Sequence, residues 1–220
     1  MEDGLFARRA ICTRAGKSTL ARALAREATA SSELKVKLVD LDPMQKTTSD
    51  WHAKRLQAKH DPVADVQVLA TIEQALANEG AYDLIIIDGP ARAPAGTRYI
   101  AQRAHLIVQP TGPSDDDIAP AIREFNGLVK AGIEKKRLVF ALNHIGTEAE
   151  EAAARSLLAE AGYAVLPGSL TERAADRTAQ NFGRAVTETN FQTLNARPDA
   201  LIQSLFRQGG KAWQNSNEVA

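Results

Sequence analysis

The sequence predicts an α/β protein built on a doubly wound, mostly parallel sheet with helices on both faces. Two features of the chain carry this prediction. Short apolar runs rich in β-branched residues and leucine show no alternation of inward and outward side chains, which is typical of strands buried on both faces. The segments between these runs repeat apolar residues at about every third or fourth position, as amphipathic helices do. Strands and helices that alternate in this way form βαβ units, and such units build parallel sheets.

The predicted strands follow the first helix along the chain and cover residues 36–42, 82–89, 104–110, 137–143 and 163–167. The predicted helices have the sequences STLARALAREA, TIEQALANEG, DIAPAIREFNGLVKAG and EAEEAAARSLLAEAG. The segment GLFARRA, which precedes the first helix, is poorer in β-branched residues than a central first strand should be. We expect one domain over residues 1–207 and a polar, frayed tail over residues 208–220.

Length, charge and cysteine content narrow the possible functions. At 220 residues with 44% hydrophobic content, the chain can form one sizeable core. Its 27 basic and 27 acidic residues balance, so any DNA contact must come from a local basic patch. The single cysteine, Cys12, excludes an internal disulfide framework and a multi-thiolate metal site. The chain has no apolar run of about 18 residues and no apolar signal core near its start, so we expect a soluble, cytoplasmic protein without a membrane anchor.

The segment ICTRAGKSTLARALARE, residues 11–27, contains the second half of a phosphate-binding loop. Gly16, Lys17, Ser18 and Thr19 open a helix, whose first backbone N–H groups can hold phosphate oxygens. The lysine can neutralise phosphate charge, and the serine hydroxyl can ligate Mg²⁺. The first half of the segment does not fit, because the motif G-x-x-x-x-G-K-[ST] requires a glycine where the chain has Ile11.

Acidic residues end two of the predicted strands. Asp40 and Asp42 close the first of these strands, and Asp88 closes the second. In an open α/β sheet, ligands lie beyond the carboxyl ends of the strands, and an acid at the end of an apolar strand commonly supports a magnesium ion. These acids beside a Gly-Lys-Ser-Thr helix start predict a site for a magnesium-bound nucleotide. Two plainer interpretations remain open: the tetrapeptide recurs by chance, and the first two acids cap a helix and a solvated turn.

Several segments resemble those of a known family, the ParA/MinD group of P-loop ATPases. VKLVDLDPMQKTTSDW resembles its switch I segment, YDLIIIDGPA its Walker B and switch II segment, and GKSTLARALA the end of its deviant Walker A motif. VQPTGPSDDD and GSLTERAADRTAQNFGRAVTE are similar to stretches of the small ParF-like plasmid partition ATPases. The resemblance extends over about residues 14–207. It implies a P-loop NTPase fold, ATP and Mg²⁺ as ligands, and ATP hydrolysis.

The resemblance also implies roles for individual residues. The phosphate and magnesium ligands it implies are Gly16, Lys17, Ser18 and Thr19 around the phosphates, with Asp40 and Asp88 supporting the metal shell together with Ser18. Lys17 and Asp42 would be the catalytic residues, the aspartate orienting the hydrolytic water. Asn143 would read the adenine edge, and the backbone near Pro167 would close the base pocket. Arg173 matches an arginine of the ParF-like pattern whose role the resemblance does not define.

The chain departs from the family pattern in the loop itself. The family has K-G-G-x-G-K-[ST]-[ST], in which the first lysine reaches the nucleotide of a dimer partner, whereas this chain has Cys12, Thr13, Arg14 and Ala15 before Gly16. Replacing a glycine in left-handed geometry costs about 1–2 kcal/mol, so two replacements weaken nucleotide binding. Either the protein has diverged toward weak or altered ATPase activity, or residues 1–14 are not the native reading, as a frameshift upstream of codon 15 would produce.

The function that the resemblance implies is plasmid or chromosome partition. Such an ATPase dimerises with ATP, binds DNA nonspecifically and is regulated by a ParB-like centromere-binding protein, which predicts a cytoplasmic, nucleoid-associated location. The sequence shows no helix-turn-helix domain ahead of the loop and no basic amphipathic helix at its end, which argues against operator recognition and against a membrane-bound, MinD-type role. Two alternatives remain: a scaffold protein of the same fold with impaired nucleotide binding, and a small-molecule ligase similar to dethiobiotin synthetase.

Overall fold

The protein forms a seven-stranded sheet in which every strand pair is parallel. The computed structural model describes residues 9–12, 16–31, 34–89, 94–171 and 173–217. The strands are β1 Arg9–Cys12, β2 Val36–Asp40, β3 Asp65–Val68, β4 Leu84–Asp88, β5 Leu106–Thr111, β6 Leu138–Leu142 and β7 Ala164–Ser169. Their order in the sheet is β3-β2-β4-β1-β5-β6-β7. The prediction of a doubly wound parallel sheet is therefore confirmed.

Helices cover both faces of this sheet. They are α1 Lys17–Ser31, α2 Thr47–Gln57, α3 Ile72–Leu76, α4 Pro94–Arg103, α5 Asp115–Lys130, α6 Glu148–Glu160, α7 Ala174–Asn181 and α8 Gln192–Asn217. On one face, α1, α2 and α8 bury apolar side chains against the sheet, and on the other face α3 to α6 do so. None of the helices in the described ranges is both long enough and apolar enough to cross a membrane.

The apolar strands lack alternation because both of their faces are buried. In β4, Leu84 and Ile86 join the core on the α1 side, whereas Ile85 and Ile87 join the core under α4 and α5. Successive strand residues point to opposite faces, so a strand covered on both sides needs an apolar residue at every position. This is the pattern from which the strands were predicted.

Two strands differ from the sequence-based expectation. β1 forms at Arg9–Cys12 and lies between β4 and β5 in the centre of the sheet, although its segment is poor in β-branched residues. β3 at Asp65–Val68 is an edge strand whose first residue is exposed, and its polar sequence gave no signal. Pairing with neighbouring strands overrides the weak preference of the side chains in both segments.

The C-terminal helix also differs from the expectation. We expected a frayed polar tail after Arg207, but α8 continues to Asn217. Gly209 is buried and Ala212 packs against the core on the α1 side, so contacts with the body of the protein support the helix beyond its apolar stretch. The division into a domain over 1–207 and a tail over 208–220 stays a prediction.

Gly168 lies where the backbone of β7 packs directly against that of α8, and we expect its replacement to be strongly destabilising. Its φ is +78°, and a Cβ atom would lie 2.5 Å from the backbone N of Leu201 and 2.7 Å from the carbonyl O of Arg197. Gly168→Ala should lower the free energy of unfolding by about 2–5 kcal/mol, the sum of left-handed strain and overpacking, in a urea titration. Gly132→Ala is the matched control, because Gly132 has a φ of +90° and no described atom within 4 Å of the Cβ position. Equal losses in the two variants would contradict the steric explanation.

Candidate functional site

The start of α1 and the ends of the central strands meet at the carboxyl edge of the sheet. In the register of the sheet, Asp40 at the end of β2 lies opposite Asp88 at the end of β4, and Asp88 lies opposite Cys12 of β1 on its other side. From β1 the chain continues to β2 on one side of the sheet, whereas β5, β6 and β7 lie on the other side of β1. The connections therefore change direction beside β1, and open α/β sheets bind ligands at the carboxyl ends of the strands at such a switch point. The structure thus brings Lys17, Ser18 and the two strand-end acids together. Thr13, Arg14 and Ala15 lie outside the described residues.

Gly16 is required by the geometry of the helix start. Its φ is +85°, and a Cβ atom at this position would overlap the side-chain amide of Asn143, which follows β6. The carbonyl of Gly16 accepts a hydrogen bond of 3.0 Å from the backbone N of Leu20, so it already belongs to the first turn of α1. The glycine therefore lets the end of β6 and the start of α1 pack directly against each other.

Asp88 has the properties expected of a residue that supports a metal ion. Its side chain is 1% exposed, and its Oδ2 atom accepts a hydrogen bond of 2.8 Å from the hydroxyl of Thr48. Its Oδ1 atom has no hydrogen-bond partner among the described residues. Burial raises the pKa of Asp88, while the hydroxyls of Ser18 and Thr48 and the charge of Lys17 act in the opposite direction. A buried carboxylate oxygen without a donor is costly unless a cation compensates it, so these residues fit Mg²⁺ held by Ser18 and supported by Asp88.

Asp40 holds the segment that follows its own strand. Its Oδ1 atom accepts a hydrogen bond of 2.9 Å from the backbone N of Asp42, and its Oδ2 atom accepts one of 3.0 Å from the backbone N of Thr48. These two bonds fix the path of the chain from β2 into α2. Both oxygens of Asp40 thus accept hydrogen bonds from backbone N–H groups. A contribution of Asp40 to the metal shell stays a prediction.

Asp42 lies in the turn between β2 and α2 and is half-buried. Its Oδ1 atom accepts a hydrogen bond of 3.2 Å from the backbone N of Gln45, which stabilises the turn. The N-cap of α2 is Lys46, in left-handed geometry and without a side-chain cap, so neither acid is the N-cap residue of this helix. The role of Asp42 in orienting water stays a prediction.

A cavity of about 120 Å³ adjoins the first turn of α1. It is lined by Thr19, Asn143, His144, Leu170, Thr171, Arg173, Asp176, Arg177, Gln180, Val186 and Pro198. Three residues singled out from the sequence, Thr19, Asn143 and Arg173, therefore line one cavity. Pro167 is not among the lining residues; it is exposed in β7, and its carbonyl accepts a hydrogen bond of 3.2 Å from the hydroxyl of Ser204.

Four contacts near the site were not expected from the sequence. The hydroxyl of Thr19 donates to Oε1 of Gln180 at 3.0 Å and so connects α1 to α7. The Ser18 and Thr47 hydroxyl oxygens lie 3.4 Å apart, and Thr48 contacts both strand-end acids. The polar run KTTSDW contains the two threonines, but nothing in its pattern distinguishes them from ordinary residues of an exposed helix start.

Sheet order and helix placement together define a doubly wound, parallel α/β fold, with the helix start and the strand-end acids at its carboxyl edge. More particularly, the chain has the fold of the ParA/MinD ATPases. No protein-family model matches the chain, and no curated protein matches it in sequence. Solved structures match more than nine-tenths of the chain or close to it, but at no more than 18% identity. This similarity therefore establishes the fold and nothing beyond it.

Three solved structures illustrate this similarity. The MinC:MinD cell division protein complex of Aquifex aeolicus has a TM-score of 0.69 at 17% identity, over 91% of this chain and 95% of that chain. The septum site-determining protein MinD of Pyrococcus horikoshii OT3, complexed with Mg-ADP, has a TM-score of 0.65 at 18% identity, over 90% and 94%. A Borrelia burgdorferi B31 protein assigned to plasmid partition, bound to AMPPNP, has a TM-score of 0.66 at 13% identity, over 92% and 99%.

Proposed function

We propose that the chain binds ATP with Mg²⁺ and hydrolyses it as a DNA partition ATPase of the ParA/MinD type. The observation that carries this proposal is the Oδ1 atom of buried Asp88, which has no hydrogen-bond partner among the described residues and lies beside the Lys17 and Ser18 helix start. The shared fold adds support, because proteins of this fold bind Mg-ADP or AMPPNP and one of them is assigned to plasmid partition. The proposal includes ATP-dependent dimerisation, nonspecific DNA binding, control by a ParB-like centromere-binding protein and a nucleoid-associated location in the cytoplasm.

The chemistry proposed is in-line attack of water on the γ-phosphate of ATP. Lys17 and the backbone N–H groups of the first turn of α1 would bind the phosphates, and Asp42 would orient the water. Mg²⁺ supplies neutralisation of phosphate charge when it is bound. Most of the catalysis then comes from positioning and charge compensation, since the transferred group needs little covalent help from the protein.

A calorimetric titration with ATP, in excess Mg²⁺ and again in EDTA, tests the nucleotide site. Binding that depends on Mg²⁺ supports the proposal, whereas no binding at millimolar ATP refutes it.

A DNA-binding assay at rising salt tests the partition role. The charge balance predicts weak, sequence-independent binding that falls steeply with salt. A tight, sequence-selective footprint by the chain alone would contradict that role.

A scaffold role without turnover remains the second candidate. It is favoured by Cys12, Thr13 and Arg14, which stand where the family pattern has the lysine of the dimer contact and two glycines. β1 nevertheless reaches Cys12, and α1 begins at Lys17, so the secondary structure on both sides of the altered loop is formed. The two candidates differ in whether magnesium-dependent ATP binding is present.

Restoring Lys-Gly-Gly at positions 12–14 should recover what the altered loop lacks. A glycine avoids a cost of about 1–2 kcal/mol wherever a loop requires left-handed geometry, and the lysine supplies a charge for the partner's nucleotide, so ATP should bind at least about tenfold more tightly. If the altered loop is a defect in an otherwise intact site, ATP-dependent dimerisation should occur in the restored chain alone, whereas a working loop allows it in both chains. Calorimetry and sizing with and without ATP and Mg²⁺ would compare the two chains. If the original chain dimerises with ATP equally well, the defect interpretation is wrong and the loop is a working variant. An arginine can bind phosphate, so Arg14 is then the first residue to test as a replacement for the lysine.

A further inference from the structure

Thr48 is the second residue of α2 and connects three parts of the candidate site. Its side chain is fully buried, and its backbone N donates to Asp40. Its hydroxyl donates to Oδ2 of Asp88 at 2.8 Å and accepts a hydrogen bond of 3.3 Å from Nε of Arg22. One hydroxyl group thus lies between a guanidinium on α1 and the carboxylate at the end of β4.

The Arg22 contact sets the direction in which the Thr48 hydroxyl points. A guanidinium can only donate, so its N–H group must approach an oxygen lone pair of Thr48. A threonine hydroxyl has a single hydrogen, and with the guanidinium on one side that hydrogen is directed to Asp88. Without Arg22, the hydroxyl would be free to turn toward other acceptors.

Packing holds the Arg22 guanidinium in place. Its Cζ atom lies 5.6 Å from the ring centroid of Trp51, a residue of α2 that is 2% exposed. The Trp51 ring is itself fixed, because its Nε1 atom donates to the carbonyl of Arg184 at 3.1 Å. Burial lowers the pKa of Arg22, whereas the carboxylates of Asp88, Asp40 and Asp50 raise it, so this cation lies near the acids of the site.

We propose that Arg22 and Thr48 are positioning residues that hold Asp88 with its Oδ1 atom available to Mg²⁺. The hydrogen bond from Thr48 occupies Oδ2 and prevents the carboxylate from rotating about its Cβ–Cγ bond. Oδ1, which has no partner within the described ranges, therefore keeps one direction. Groups that hold a metal-supporting carboxylate in this way tune metal affinity without touching the metal. The inference rests on the proposed Mg-nucleotide site.

The test measures how much Mg²⁺ tightens ATP binding. The dissociation constant of ATP is determined by calorimetry in excess Mg²⁺ and in EDTA, and the ratio of the two values is the magnesium enhancement. Thr48→Val keeps the shape of the side chain and removes the hydroxyl, and Arg22→Met removes the donor. Both variants should lose about tenfold or more of the enhancement, the usual effect of removing such a hydrogen bond, with the EDTA value within about twofold of the original.

Two further variants serve as controls. Thr48→Ser keeps the hydroxyl and should restore the enhancement, and Arg123→Met changes an exposed arginine of α5 and should leave it unchanged. If Thr48→Val does not fold, Arg22→Met carries the test, because Arg22 is only half-buried. Full enhancement in Thr48→Val or Arg22→Met, or an equal loss of affinity with and without Mg²⁺, would overturn the positioning role alone. Absence of magnesium-dependent binding in the original chain would instead refute the proposed function, and this inference with it.

Discussion

Lys17→Ala is expected to abolish ATP binding at the concentrations where the original chain is saturated. Lys17 is the first residue of α1, and its charge acts on the Asp88 carboxylate at the carboxyl edge of the sheet. A hydrogen bond to a charged group contributes about 1.5–3 kcal/mol, and a lysine that contacts two phosphates makes more than one, so we expect a loss of about 100-fold or more. Calorimetry with ATP and Mg²⁺ measures the change directly.

Lys130→Ala is the matched control for this variant. Lys130 is an exposed lysine at the end of α5, so its removal changes the net charge of the protein by the same amount. The affinity of the Lys130→Ala variant for ATP should stay within about twofold of that of the original chain, because a surface charge is screened by solvent and salt. Retained affinity in Lys17→Ala would show that the Gly-Lys-Ser-Thr segment is not the phosphate site, and thermal unfolding of both variants would confirm that each is folded.

Asp42→Ala is expected to retain ATP binding and to lose most hydrolysis, by roughly 10²-fold or more. Asp42 lies two residues after the end of β2, in the turn that leads to α2, and its backbone N donates to Oδ1 of Asp40. A residue that orients water acts on the transition state, so its loss should lower kcat and leave the dissociation constant of ATP nearly unchanged. Phosphate release in saturating Mg²⁺ and ATP measures kcat, and calorimetry measures the affinity.

Asp42→Asn separates catalysis from the stability of the turn. Asparagine keeps an oxygen that can accept the hydrogen bond from the backbone N of Gln45, but it lacks the negative charge. If the carboxylate orients water, both variants should lose hydrolysis to a similar extent. Full turnover in Asp42→Asn with loss in Asp42→Ala would assign the residue to the turn, and full turnover in both would remove Asp42 from the mechanism.

The sequence predicted the parts of the fold whose signal is local. β4 was predicted at 82–89 and found at Leu84–Asp88, because a strand buried on both faces needs apolar residues at every position. The positions of Asp40 and Asp88 at strand ends followed from the same runs, and the parallel sheet then placed them side by side. The Gly-Lys-Ser-Thr helix start was equally local, since α1 begins at Lys17.

Elements stabilised mainly by their neighbours were not predicted. The central strand β1 has the sequence RAIC and is held by hydrogen bonds to β4 on one side and β5 on the other. The C-terminal part of α8 has few apolar residues and rests on the core through Ala212. In both segments tertiary contacts outweigh an intrinsic preference that is small for each residue.

The sequence by itself determined the alternation of strands and helices, the Gly-Lys-Ser-Thr helix start and the acids at the strand ends, because each is encoded within a few consecutive residues. Only the tertiary structure decided which oxygen of Asp88 remains available and which groups hold the other one. The Thr48 hydroxyl that binds Asp88 comes from 40 residues away in the chain, and the Arg22 donor that directs this hydroxyl lies 26 residues before Thr48. A hydrogen bond requires an approach to about 3 Å at a suitable angle, and for groups so far apart in sequence only the packed sheet and helices impose that geometry.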